Sequence, residues 1–176
     1  MPELLIGCGQ RLNKLMAWNG RREWEGRVTL DINPDHKPDV VHDLTVFPLP
    51  FEDDTFEEIH AYEVLEHTGQ QGDWRFFFAQ FSEFYRILKP GGVIIGTSPA
   101  PRSLWAWGDP GHTRVLSPES FVFLDQQQYT DQIGKTPMTD YRFVYQGDFM
   151  PQHIKLNPAG VFEYVLEAVK PSRITR

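Results

Sequence analysis

The chain has 176 residues, with 17 Lys and Arg against 24 Asp and Glu for a formal charge of −7. That balance argues against a general nucleic-acid binder, whose phosphate contacts need a basic footprint. Hydrophobic residues at 40% and charged residues at 23% fit an ordinary globular protein, and no apolar run approaches the roughly 20 residues that cross a bilayer. A single domain over residues 1–176 with no membrane segment is the expectation.

The first apolar run, Leu4-Leu5-Ile6, meets Gly7 at once and has no basic lead, so no secretory signal is expected. The single cysteine, Cys8, can form no intrachain disulfide, and a reducing, cytoplasmic setting follows as the expectation. Leu4–Ile6 reads as a buried parallel strand that breaks into Gly7-Cys8-Gly9, where glycine lets the backbone turn or a ligand approach. Alone, that glycine pair is equally a tight turn. Residues 11–26 then show poor helical periodicity, so the first crossover helix reads as reduced or absent. Arg11, Lys14, Arg21, Arg22 and Arg27 make this stretch locally basic: a solvated face, or a rim for an anionic substrate.

Val28–Ile32 is the second predicted strand, carrying Asp31 before the turn signal Asn33-Pro34-Asp35. Asp39–Leu44 is the third, again with an acid, Asp43, near its end. Glu57–Tyr62 is the fourth and runs into Glu63-Val64-Leu65-Glu66-His67. Asp73–Leu88 is the strongest helix, with Asp73 as cap and an apolar stripe through Trp74, Phe77, Phe78, Phe81, Phe84, Tyr85 and Leu88. Lys89-Pro90-Gly91-Gly92 stops it, and Val93–Thr97 resumes as strand. Ser117-Pro118 opens a further helix, and Tyr141–Phe149 with Val161–Val169 reads as an antiparallel strand pair at one edge. The fold class is α/β: an open, mostly parallel Rossmann-like sheet with an antiparallel C-terminal pair.

Several stretches together resemble the class I S-adenosylmethionine-dependent methyltransferases, in particular the small type 11 members. These are Leu4–Gly9, Val28–Ile32, Asp39–Leu44, Leu49–Ile59, Tyr62–His67 and Phe84–Ile95, found in the family's order over roughly the first 100 residues. The resemblance implies a seven-stranded sheet whose last pair is reversed, and S-adenosylmethionine as cofactor. A dinucleotide fingerprint would need a third glycine where Leu12 stands. On the resemblance, Gly7 and Gly9 lie beside the methionine part, Asp31 takes the ribose hydroxyls, and Asp43 and Leu44 meet the adenine. Glu63 lines the sulfonium end, and His67 joins this cofactor-binding set. Asp31 and Asp43 also fit simple Asx turns, and His67 a structural role.

The acceptor side falls to Asp109, His112 and Arg114, an Asp-Pro-x-His-x-Arg pattern that in similar family members sits over the methyl donor. His112 is the preferred general base, with Asp109 as its companion; the alternative is that His112 only pins the loop through Asp109. Trp105 and Trp107 fit an apolar lid or a surface for a flat acceptor, with Arg114 beside them. No compact ligand spacing supports a metal. The leading reading is methyl transfer to an O or N atom of a small-molecule acceptor. A degenerate scaffold, and a nucleic-acid or protein methyltransferase, are the alternatives.

Overall fold

A computed structural model describes residues 2–174. Its seven strands are β1 (Glu3–Ile6), β2 (Arg27–Asp31), β3 (Val40–Val41), β4 (Phe56–Tyr62), β5 (Leu88–Pro99), β6 (Phe149–Leu156) and β7 (Val161–Ala168). They form one sheet in the order β3-β2-β1-β4-β5-β7-β6. The first five are parallel, while β7 lies antiparallel between β5 and β6. This is the expected sheet with its reversed final pair.

The helix α1 (Trp74–Ile87) starts where the sequence places it, with the Asp73 side chain accepting from the Phe76 N–H at 3.1 Å. Its stripe buries Phe78, Phe81 and Phe84 against Leu4, Ile6, Ile59 and Ile94, each ring worth about 1.5–3 kcal/mol of transfer free energy. Leu88 is already extended, so helix passes into strand without a separate turn. Lys89–Gly92 bulges out instead, because Phe56 pairs with Leu88 and Glu58 with Val93.

Apart from β5, which runs Leu88–Pro99 rather than Val93–Thr97, and single-residue shifts at β1, β2, β4 and β7, two strands differ from the sequence reading. β3 covers only Val40–Val41 of the expected Asp39–Leu44, because the Asp39 carboxylate takes the Thr29 N–H at 2.8 Å and its hydroxyl at 2.7 Å in place of a ladder. The penultimate strand is Phe149–Leu156, not Tyr141–Phe149. Tyr141 and Tyr145 close a turn whose rings sit 4.9 and 5.1 Å from Phe78, so their apolar character seals α1 rather than marking a strand. The real β6 is largely exposed and holds Pro151 because it is the sheet edge.

No helix joins β1 to β2, as expected. Residues 10–26 form irregular chain whose Met16 and Trp18 pack on Val93, Ile95 and Val165. Three further helices follow β5: α2 (Trp105–Gly108), α3 (Pro118–Val122) and α4 (Gln126–Gln132). Among the described residues no helix is long and apolar enough to cross a membrane.

Candidate active site at the carboxyl ends of the strands

β1, β2 and β4 end side by side, and the chain turns at each end. Gly7 and Gly9 take φ of 57° and 51°, the left-handed region that favours glycine. A Cβ on Gly7 would stand 2.2 Å from Val64 Cγ2, whereas one on Gly9 would meet nothing within 4 Å. The first glycine therefore serves packing, and the second faces open space. The Gly9 N–H donates to Asp31 Oδ2 at 2.8 Å, so the acid at the end of β2 fixes the turn after β1.

Asp31 Oδ1 accepts the Asn33 N–H at 2.8 Å, and the His36 ring approaches it at 3.2 Å. Burial by itself would raise the Asp31 carboxyl, but the Asn33 and Gly9 N–H groups and His36 outweigh it and hold the group below the usual carboxylate range. The Asx turn weighed as an alternative is thus present together with the clamp on Gly9. A carboxylate offers about four lone-pair positions, so Asp31 retains capacity for a hydroxyl donor.

The glycine turn that Asp31 holds borders a cavity of about 450 Å³, lined by Gly7, Gly9, Arg11, Asn13, Leu15, Tyr62 and Glu63. Glu63 has a φ of 50°, and its N–H is tied to the Thr97 carbonyl at 2.9 Å. Arg11 and Glu63 give the lining one cation and one anion. Cys8 is buried and its thiol is pushed up, chiefly by burial, as suits a small filler. Asp43 turns its Oδ1 onto the N–H and hydroxyl of Thr45, both at 2.8 Å, while the Leu44 side chain enters the core. A second cavity, of about 280 Å³, lies between Gln70–Trp74, Arg114–Leu116 and Tyr141; it has neither the glycine turn nor an acid at a strand end.

Past Glu63 the chain makes a single helical turn, Leu65–His67, and meets the loop that follows β5. The Glu66 carbonyl receives the Thr113 N–H at 2.9 Å. His67 and His112, distant in sequence, meet edge to face with ring centroids 4.6 Å apart. His67 Nδ1 lies 3.1 Å from the Gly111 carbonyl, and His112 Nδ1 lies 2.8 Å from the Trp105 carbonyl. A carbonyl only accepts, so each Nδ1 carries the proton and Nε2 is the acceptor in the neutral ring. Below them Glu66 is buried, with Oε2 accepting from Ser98 at 3.0 Å and Oε1 lacking a partner among the described residues. Burial first, then the charge of Glu63, pushes its carboxyl up to about 7.

Residues 4–96, more than half of the chain, match the family described as the methyltransferase domain. The chain belongs to that family. No curated protein gave a match. Among solved structures it is similar to a SAM-dependent methyltransferase from Archaeoglobus fulgidus, at 18% identity and a TM-score of 0.58, over 94% of this chain and 85% of that one. A SAM-dependent methyltransferase from Aquifex aeolicus aligns at 13% identity and a TM-score of 0.54, over 96% of this chain and 82% of that one. The N-methyltransferase NodS from Bradyrhizobium japonicum, solved with S-adenosyl-L-homocysteine, aligns at 13% and 0.53, over 95% and 77%. At these identities the likeness is one of fold, and it agrees with the strand order.

The methyltransferase domain brings Gly7, Gly9 and Glu63 around one cavity, with Asp31 behind Gly9, and sets His67 against His112, with Trp105 and Trp107 nearby. Two readings of its acceptor side change. Arg114, expected to meet substrate, is buried, and its guanidinium donates to the Leu65 carbonyl at 2.8 Å, to Thr68 Oγ1 at 3.1 Å and to Gln80 Oε1. It braces the turn after β4 against α1, a role that needs the tertiary contacts to be seen. His112 is pinned through the Trp105 carbonyl, since Asp109 Oδ2 stays 3.9 Å from its Nε2 and Asp109 Oδ1 takes the Gly111 N–H at 2.7 Å. Arg11, Asn13 and Leu15 were missed as site residues, because only the irregular path of residues 10–26 brings that segment to the cavity.

Proposed function

We propose that this domain transfers a methyl group from S-adenosylmethionine to an O or N atom of a small-molecule acceptor. The observation that carries the reading is the Gly9–Asp31 clamp at the edge of a cavity of about 450 Å³. The residues present fit such a donor. Gly9 leaves room for close approach, Asp31 has acceptor capacity for a ribose hydroxyl, and Arg11 and Glu63 suit the carboxylate and ammonium of a methionine part. No helix N-terminus follows Gly9 to favour a pyrophosphate, which suits a donor without phosphate.

When bound, S-adenosylmethionine supplies an electrophilic methyl group on a sulfonium. The chain supplies alignment and, for a protonated acceptor, a base. His112 Nε2 is the proposed proton acceptor, its ring held by the Trp105 carbonyl and by the edge of His67. Leu104, Trp105 and Trp107 are 89%, 72% and 72% exposed on the same loop and offer a flat apolar surface for the acceptor. A small molecule is favoured over nucleic acid because much of the basic segment is engaged by the protein's own carboxylates and carbonyls. Lys14 is buried between Glu3 and Glu58, Arg21 pairs with Glu57 and Glu58, and Arg27 donates to the Leu12 carbonyl.

Calorimetric titration with S-adenosylmethionine, S-adenosylhomocysteine and NAD tests the reading. Saturable binding of the first two and none of NAD is expected. A folded protein that ignores all three would instead be a scaffold, and the proposal would fall.

A further inference from the structure

The face of the sheet that a first crossover helix would cover carries charge. Glu3 of β1 and Glu58 of β4 are cross-strand partners, and both are fully buried. Two carboxylates side by side repel one another and demand compensation. Lys14 provides it: Nζ lies 3.0 Å from Glu3 Oε1 and 2.8 Å from Glu58 Oε2, with the lysine side chain 1% exposed. The ammonium also sits 5.3 Å from the centre of the Trp24 ring. Arg21 completes the balance at 2.8 Å from Glu58 Oε1. Beside them His60 donates from Nε2 to Glu58 Oε2 at 2.9 Å, while Nδ1 meets the Tyr62 hydroxyl at 2.6 Å. That hydroxyl accepts the Met16 N–H at 3.2 Å.

The residues on either side of Lys14 are Asn13 and Leu15, and both line the cavity proposed for the methyl donor. We infer that Lys14 is a positioning residue: its buried ammonium does the work of the absent helix, anchoring residues 10–18 to β1 and β4 and so holding one wall of the donor cavity. Glu3, Glu58 and His60 together have the make-up of a cation site, and the chain's own lysine is the cation. Tyr62 is the second tie, reaching the wall through Met16. The effect on the donor rests on the methyltransferase reading; the order of the wall does not.

The test compares wild type with Lys14→Met and with the charge-balanced pair Lys14→Met, Glu3→Gln, which leaves one buried carboxylate facing Arg21. Amide exchange over residues 10–18 is followed without ligand, and S-adenosylmethionine affinity by calorimetry. In the balanced variant, exchange of this segment should rise roughly tenfold or more while that of α1 stays put. Its Kd should rise roughly tenfold, with KM for the donor increased and kcat retained. Unchanged exchange at 10–18 overturns the proposal, and so does faster exchange with an unaltered Kd. If wild type binds no donor, the methyltransferase reading fails by itself, and the exchange measurement still decides the role of Lys14. Should the balanced variant not fold, Tyr62→Phe, which removes the hydroxyl that joins Met16 to His60 and leaves the Lys14 pairs in place, should raise exchange about threefold to tenfold. No change there overturns the proposal as well.

Discussion

The Gly9 N–H and the Asp31 carboxylate are joined at 2.8 Å across 22 residues of sequence, and this bond ties the end of β1 to the end of β2. Asp31→Ala removes an acceptor shared by Gly9, Asn33 and His36. A loss of about 1–3 kcal/mol of stability is expected in urea unfolding, with donor affinity reduced roughly tenfold or more in calorimetry. Stability lost without any change in affinity would confine Asp31 to the turn.

The two glycines should separate. Gly7→Ala must adopt φ of 57° and drive a Cβ into Val64, so a melting temperature lowered by several degrees is expected, about 2–4 kcal/mol. Gly9→Ala bears only the strain of its backbone, about 1–2 kcal/mol, and places its methyl in open space beside the cavity. Its larger effect should be on donor Kd, measured on the folded variant.

His112→Ala should leave donor binding nearly intact and lower turnover roughly 100-fold to 10,000-fold once an acceptor is found. Thermal unfolding run alongside distinguishes the base from a pin. A large drop in melting temperature with turnover per folded molecule retained would assign His112 to holding the Trp105 loop.

Glu66 should give stability a signature in pH. Its ordinary value is 4.5, and burial first of all raises it to about 7 in the folded protein. A raised value means that the proton favours the fold, so this contribution is complete below 4.5 and is lost as pH climbs through about 7. The amount is on the order of 3 kcal/mol. Glu66→Gln should therefore lose little at pH 4.5 and gain on wild type at pH 8 in denaturant titrations. Parallel pH profiles for the two proteins would contradict this account.

Much of the architecture was legible in sequence because its signals are local. The α1 stripe repeats at three and four residues, Asp73 caps it, and the glycine pair follows a short apolar run. The strand ending at Asp31 is local as well, and the order of such segments carried the family. Residues 141–149 misled because alternating apolar residues look alike whether they pair in a sheet or seal a helix; only the contacts of Tyr141 and Tyr145 with Phe78 decide between these. Arg114 was misplaced for a similar reason, since burial of a guanidinium depends on Leu65, Thr68 and Gln80 arriving from elsewhere.

The sequence by itself determined a parallel α/β sheet with a glycine turn and an acid at neighbouring strand ends, and a first crossover without a helix. Those features come from spacing and side-chain type within short windows. Only the tertiary structure decided that Lys14 enters the interior, that Asp31 holds Gly9, and that His67 meets His112. Each depends on strand register and on the path of an irregular segment. A charge reads as solvated until the fold sets two buried carboxylates around it.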